Sequence, residues 1–172
     1  MSENPQQRRV TVLGAGSYGS ALAICIARKG VPTYLWGRDA QAMTAMAASR
    51  SNERYLNGIP FPEALEPTSD LAHAVTSAHI VLVVVPSYGF SAVLKQIKPF
   101  LQPNARVAWA TKGLEPDTGR LLSDVAMEIL GADRPLAVLS GPTFAREMAQ
   151  GMPTAIAVAA TQPELVAELS ET

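Results

Sequence analysis

The sequence predicts an α/β domain, a mostly parallel sheet wound by helices on both faces. Three observations carry that expectation. Short β-branched apolar runs alternate with helix-like stretches along the chain. One run, Ile80 to Val85, has no polar alternation, as in a strand covered on both faces. The first run ends in a glycine-rich turn that opens a helix.

The elements follow in order. Val10–Leu13 reads as a strand and Ser17–Lys29 as a helix, with Arg28 and Lys29 in its last turn and Gly30 to stop it. Thr33–Trp36 is a second strand. Asp39 caps a helix running to about Ser49, and a loop rich in Asn, Gly and Pro is expected from Asn52 to Pro67. A short helix is expected over Asp70–Val75, a strand over Ile80–Val85 and a helix over Ser87–Leu101. The strand Arg106–Ala110 and the helix Thr118–Leu130, closed by Gly131, come next. Leu136–Leu139 is a strand, Phe144–Gln150 a helix, Thr154–Ala159 a strand, and Glu164 starts a last helix. Trp36 and Trp109 lie in strands and are expected in the core.

Composition narrows the function classes. At 172 residues the chain suits one domain and is short for two. A net charge of -1 implies no bulk attraction to nucleic acid or anionic membrane. No apolar run approaches the roughly 18 residues of a membrane span. The segment Met1–Arg9 is polar and lacks the apolar core of a secretory signal, so a cytoplasmic protein is expected. Cys25 has no partner for an intramolecular disulfide and is expected to pack inside a helix. His73 and His79 have no further ligand at metal-site spacing, so no metal is expected. The last helix has scarcely begun at Thr172, which reads as the end of a piece of a longer protein.

Gly14-Ala15-Gly16-Ser17-Tyr18-Gly19 fits Gly-x-Gly-x-x-Gly in the context the pattern needs, between a strand and a helix. Gly14 permits the tight turn, Gly16 lets backbone approach a pyrophosphate, and Gly19 lets helix and strand pack closely. Free N–H groups of the helix N-terminus then face the phosphates. This is the Rossmann-type arrangement for NAD(P)(H). The second strand ends Leu35-Trp36-Gly37-Arg38 where NAD-specific sites carry an acidic residue. Gly37 leaves space, and the planar guanidinium of Arg38 suits a 2′-phosphate, which favours NADP(H). Asp39 follows at once and stands within reach of a ribose, so NAD(H) use stays open.

Further segments carry a resemblance. They are Asn52-Glu53-Arg54-Tyr55-Leu56, Val85-Pro86-Ser87, Thr111-Lys112-Gly113-Leu114-Glu115, Leu139-Ser140-Gly141-Pro142-Thr143-Phe144-Ala145 and Gly151-Met152-Pro153-Thr154-Ala155. Together with the glycine turn and Leu35–Arg38, in order along nearly the whole chain, they resemble bacterial NAD(P)-dependent glycerol-3-phosphate dehydrogenase. Asn57 departs from the proline frequent there in the family. The resemblance implies reversible hydride transfer from NAD(P)H to dihydroxyacetone phosphate, giving sn-glycerol 3-phosphate for phospholipid synthesis. It also implies that residues 1–172 form the cofactor domain. An all-helical domain, carrying the family's catalytic lysine, would follow, in an enzyme that acts as a homodimer. By the same resemblance Ser17 and Tyr18 contact cofactor at the pyrophosphate turn, and Arg38 contacts the adenosine phosphate. Lys112 touches cofactor and substrate, Gly141 and Thr143 touch substrate, and Ala145 touches cofactor.

Physical reasoning runs parallel. Lys112 follows a predicted strand at the edge where open α/β sheets bind ligands, and its ammonium suits charge developing on a substrate oxygen. Gly141 permits close approach, Pro142 suits an early helix position and Thr143 brings a hydroxyl. Pro86 and Ser87 either border the nicotinamide path or form an ordinary turn, and Tyr55 is either a lid aromatic or loop packing. Other two-domain dehydrogenases, such as ketopantoate reductase and hydroxyacyl-CoA dehydrogenase, share a similar N-terminal half. The Thr111–Gly113 and Ser140–Ala145 segments weigh against them. A stand-alone NAD(P)H-binding sensor would show a well-stopped last helix, which this sequence does not.

Overall fold

A computed structural model describes residues 8–172; the polar segment 1–7, part of the stretch read for a secretory signal, lies outside them. Strands β1 (Val10–Leu13), β2 (Thr33–Trp36), β3 (Leu65–Thr68), β4 (Ile80–Val83), β5 (Arg106–Trp109), β6 (Leu136–Ser140) and β7 (Ala157–Ala160) form one sheet in the order β3-β2-β1-β4-β5-β6-β7. All pairs from β3 to β6 are parallel, and β7 joins antiparallel, Leu139 opposite Val158. Strand order reverses between β1 and β4, the switch point at which doubly wound sheets bind ligands.

The helices are α1 (Ser17–Arg28), α2 (Ala40–Ser49), α3 (Glu53–Leu56), α4 (Leu71–Thr76), α5 (Ser87–Ile97), α6 (Leu122–Leu130), α7 (Ala145–Ala149) and α8 (Pro163–Glu171). Two cores sandwich the sheet. On one face Ile24, Leu35, Met43, Leu56, Leu82, Met148 and Leu165 are buried together; on the other, Val83, Phe90, Leu94, Trp109, Val125 and Leu136 are. Every residue of β1, β2 and β4 is buried, Thr11 and Thr33 included, and only β4 is apolar throughout. Trp36 and Trp109 are core residues, and Trp109 meets Phe90 edge-on at 5.6 Å between ring centroids.

Several boundaries differ from expectation for identifiable reasons. The segment read as a loop from Asn52 to Pro67 holds both α3 and β3. Pro67 hid the strand, yet β3 is an edge strand, where a missing N–H can be tolerated. The helix expected from Thr118 begins at Leu122. Before it, the chain closes on itself by a Leu114–Leu121 bridge, with Gly119 at φ +68°. The helix expected to reach Leu101 leaves α geometry after Ile97 and continues as a 3-10 turn over Lys98–Phe100, because Pro99 has no N–H to give. Strand β7 lies at Ala157–Ala160, three residues later at its start than expected.

The N-terminal ends of the central strands are tied down by a group with no local signature in the sequence. Glu168 of α8 is 9% exposed and accepts from Arg106 Nε at 2.9 Å, while its other oxygen lies 2.5 Å from His79 Nε2. This contact pins α8 beneath β4 and β5.

Candidate functional site: the C-terminal edge of the sheet

The turn after β1 is built by three glycines under different constraints. Gly14 adopts φ +121°, and a Cβ there would strike the Val84 carbonyl at the end of β4. A Cβ on Gly19 would strike the Gly14 carbonyl, so α1 rests directly on the turn. Gly16 is different: its φ is -79°, and nothing lies within 4 Å of where a Cβ would stand. The one glycine with open space in front is the one whose backbone an approaching pyrophosphate would meet. No side chain caps α1. The first N–H groups of the helix therefore keep their capacity for an anion.

Above this turn, side chains from three strand ends meet. Tyr18, in the first turn of α1, shares a hydrogen bond of 2.8 Å between its hydroxyl and Thr143 Oγ1, beyond β6. Lys112, beyond β5, places its ammonium 5.7 Å from the centroid of the Tyr18 ring. These three residues are 125 positions apart at their extremes in sequence. They become neighbours because β1, β5 and β6 all run the same way. Thr111 fixes the start of the Lys112 loop by donating from Oγ1 to the Val85 carbonyl at 2.8 Å. Ser17 and Ala145 are half-buried first residues of α1 and α7.

Arg38 stands exposed at the end of β2. The neighbouring Asp39 is the N-cap of α2, its Oδ1 accepting from the Ala42 N–H at 3.0 Å. One of its carboxylate oxygens is thus engaged by the fold, which leaves Arg38 as the unengaged charge at this corner.

Two glycines have a different reason from the one read in sequence. Gly37 does not leave space: the Met43 sulfur and the Ala15 Cβ, 3.1 Å away, occupy the place of its missing Cβ. It lets α2 pack against the glycine turn. Likewise a Cβ on Gly141 would meet the Ala155 carbonyl at 2.5 Å, so the close approach there is by the chain's own backbone. Pro142 lies three residues before α7 rather than in its first turn. Tyr55 and Tyr88 are exposed, and Ser87 is the first residue of α5. Cys25 is half-buried, its thiol donating to the Met148 carbonyl at 3.3 Å, and burial raises its pKa above that of a free thiol.

Sequence reasoning missed Asn52 as a site component. It is wholly buried, with its amide nitrogen donating to the Ala15 carbonyl at 3.1 Å and to Ser20 Oγ at 2.8 Å. A polar residue opening an Asn-Gly-Pro loop looks like loop chemistry, and nothing nearby in sequence signals its contact with the glycine turn.

A sheet of this order, with a Gly-x-Gly-x-x-Gly turn at its switch point and converging polar side chains above, defines the dinucleotide-binding domain of a dehydrogenase. Comparison with known proteins gives the family. The profile of the NAD-dependent glycerol-3-phosphate dehydrogenase N-terminus matches residues 9–166, and the chain belongs to that family. Glycerol-3-phosphate dehydrogenase [NAD(P)+] of Idiomarina loihiensis is 62% identical over 165 residues, covering 96% of this chain and 50% of the relative. That of Tolumonas auensis is 58% identical over 161 residues, covering 94% and 48%. The crystal structure of the Coxiella burnetii glycerol-3-phosphate dehydrogenase superposes with a TM-score of 0.91 at 39% identity, over 96% of this chain and 50% of that one. The chain thus spans about half the length of these relatives. Ketopantoate reductase and hydroxyacyl-CoA dehydrogenase are set aside as family assignments.

Proposed function

We propose that residues 1–172 form the cofactor domain of a cytoplasmic glycerol-3-phosphate dehydrogenase that transfers hydride between NAD(P)H and dihydroxyacetone phosphate. In the full enzyme, a homodimer, the remaining half of the relatives' length supplies a helical domain and the catalytic lysine. The observation that carries the reading is the convergence of Tyr18, Lys112 and Thr143 above an open Gly16. The bound nicotinamide would supply the hydride. Gly14, Gly16 and Gly19 shape the turn, and the N–H groups around Ser17 and Tyr18 receive the pyrophosphate. Ala145 borders the cofactor from α7. Arg38 pairs with a 2′-phosphate and inclines the site to NADPH. Lys112 presents a cation to the substrate oxygen, with Gly141 and Thr143 beside it.

The test is direct. Titrating NADPH into the 172-residue chain should give saturable binding, followed by quenching of Trp36 and Trp109 fluorescence. Adding dihydroxyacetone phosphate should give turnover below that of a two-domain relative by about 10²–10⁴-fold or more, the contribution of a positioned proton donor. Failure to bind either cofactor would refute the assignment, and turnover matching a two-domain relative would refute the division of labour.

A further inference from the structure

We infer that Asn52 is a positioning residue for the cofactor pyrophosphate, acting through the peptide that joins Ala15 to Gly16. The inference rests on the reading that this turn receives the pyrophosphate. The side chain is fully buried and touches the turn from below. Its Nδ2 holds the Ala15 carbonyl at 3.1 Å and Ser20 Oγ at 2.8 Å. In a planar trans peptide, the carbonyl of one residue and the N–H of the next point in opposite directions. No peptide among the described residues is cis. Anchoring the Ala15 carbonyl inward therefore aims the Gly16 N–H outward, on the side where Gly16 meets open space. Without the anchor, a peptide entering a residue that has no Cβ is free to rotate.

The loop that delivers Asn52 is itself held. Arg50 takes a left-handed backbone at φ +53° and donates from Nη2 to the Pro62 carbonyl at 2.7 Å. The Phe61 N–H returns to the Arg50 carbonyl at 2.6 Å. Ser51 Oγ donates to Glu53 Oε1 at 2.6 Å. Asn52 Oδ1 is buried with no hydrogen-bond partner among the described residues. The hydrogen bonds that tie this amide to the turn are both made by its donor half.

The experiment compares ligands with and without a pyrophosphate on the 172-residue chain. Asn52→Ala should weaken ADP-ribose and NADH by about tenfold, the worth of one charge-assisted hydrogen bond lost from the turn. Adenosine 2′-monophosphate, which lacks the pyrophosphate, should change by less than about twofold. Ser51→Ala, which loosens the same loop without touching the turn, should leave ADP-ribose affinity at the wild-type value. Unchanged ADP-ribose affinity in Asn52→Ala, or a loss shared equally by adenosine 2′-monophosphate, overturns the inference. Should Asn52→Ala not fold, wild-type hydrogen exchange decides. The Gly16 amide should exchange rapidly in the free chain and slow by about tenfold or more with ADP-ribose, and an amide that does not slow overturns the inference. A wild-type chain that binds no ADP-ribose would instead refute the parent reading.

Discussion

Gly16→Ala and Gly19→Ala add the same methyl group three residues apart, and the structure predicts that only the second lowers stability. At Gly19 the new Cβ would meet the Gly14 carbonyl, and it would also lie 3.1 Å from that carbonyl carbon and 3.5 Å from the Val84 Cβ. Both obstacles belong to the turn and the adjoining strand end, so neither can swing aside and α1 has to shift. Overpacking of this kind costs about 1–3 kcal/mol, and at ~2–4 °C per kcal/mol Tm should fall by about 2–12 °C. At Gly16 the backbone is already one that alanine adopts, with φ -79° and ψ -171°, and the space is open. Alanine is a poorer N-cap than glycine, while restricting the unfolded chain favours it by about 0.4–1 kcal/mol; the two nearly cancel. Binding is where Gly16→Ala should fail. A methyl group in the phosphate approach sacrifices charge-assisted hydrogen bonds worth about 1.5–3 kcal/mol, or roughly 10–150-fold in affinity. Thermal melts by circular dichroism and NADH titrations well below both transitions measure the two axes separately. A Gly16→Ala melt as low as that of Gly19→Ala, or wild-type NADH affinity in Gly16→Ala, would refute the reasoning.

Arg38→Ala should weaken NADPH selectively, by an amount that shrinks with added salt because Arg38 is exposed; equal weakening of NADH in parallel titrations would remove Arg38 from the 2′-phosphate. Glu168→Ala should destabilise the fold by about 2 kcal/mol in urea melts. That is less than the 3–5 kcal/mol of a fully buried pair, because Arg106 is 28% exposed; NADH affinity should not move. The Cys25 thiol has its pKa raised by burial. The folded state therefore holds the proton more tightly than the unfolded chain. This contribution to stability is complete below the unfolded-state pKa and is lost as pH rises through the raised folded-state value. Native Cys25 should resist alkylation at neutral pH and react on unfolding, and fast native labelling would contradict the packing. Tyr55, Tyr88, Leu114 and Phe144, on connections around the same sheet edge, are 45%, 77%, 49% and 71% exposed. The isolated 172-residue chain should consequently self-associate in sedimentation at rising concentration, and a monomer at every concentration would show that this edge stays wet.

Much of the fold was legible because the strands of a covered parallel sheet are written in short apolar and β-branched runs. Val10–Leu13 and Thr33–Trp36 were legible as strands and Ile80–Val85 as one covered on both faces; all three are buried inside the sheet, the last ending at Val83. Legibility failed where position in the sheet reverses the meaning of a residue. Pro67 argues against a central strand and is admissible in β3, but nothing local says that β3 is an edge. At the site, the glycine turn was legible as a motif, yet the reasons for Gly37 and Gly141 were not. Each is empty of Cβ because another segment of the same chain, Met43 or Ala155, arrives there. The Tyr18–Thr143 bond and the Asn52 clamp are likewise contacts across 125 and 37 residues, a range at which no periodicity speaks.

The two ends of the sheet divide stability from function, and the division follows from strand direction. Five parallel pairings leave the C-terminal ends of β1, β2, β3, β4, β5 and β6 on one edge, and the strand-to-helix connections leave from there. Every side chain assigned to cofactor or substrate by resemblance lies on those connections or the first turns of the helices after them. That edge holds an exposed arginine and an exposed lysine, Arg38 and Lys112, together with a helix N-terminus that no side chain caps. At the opposite edge Glu168 is held between Arg106 and His79, with its carboxylate almost closed to solvent. Folding has closed the Glu168 carboxylate against its partners at one end and left Arg38, Lys112 and the start of α1 open at the other. A substitution that lowers stability without changing NADH affinity should therefore map to the Glu168 edge. One that lowers affinity without changing stability should map to Gly16, Arg38 or Lys112. The two glycines of the turn whose Cβ positions are filled, Gly14 and Gly19, should do both, because there the packing of α1 on the strand ends is itself the shape of the site.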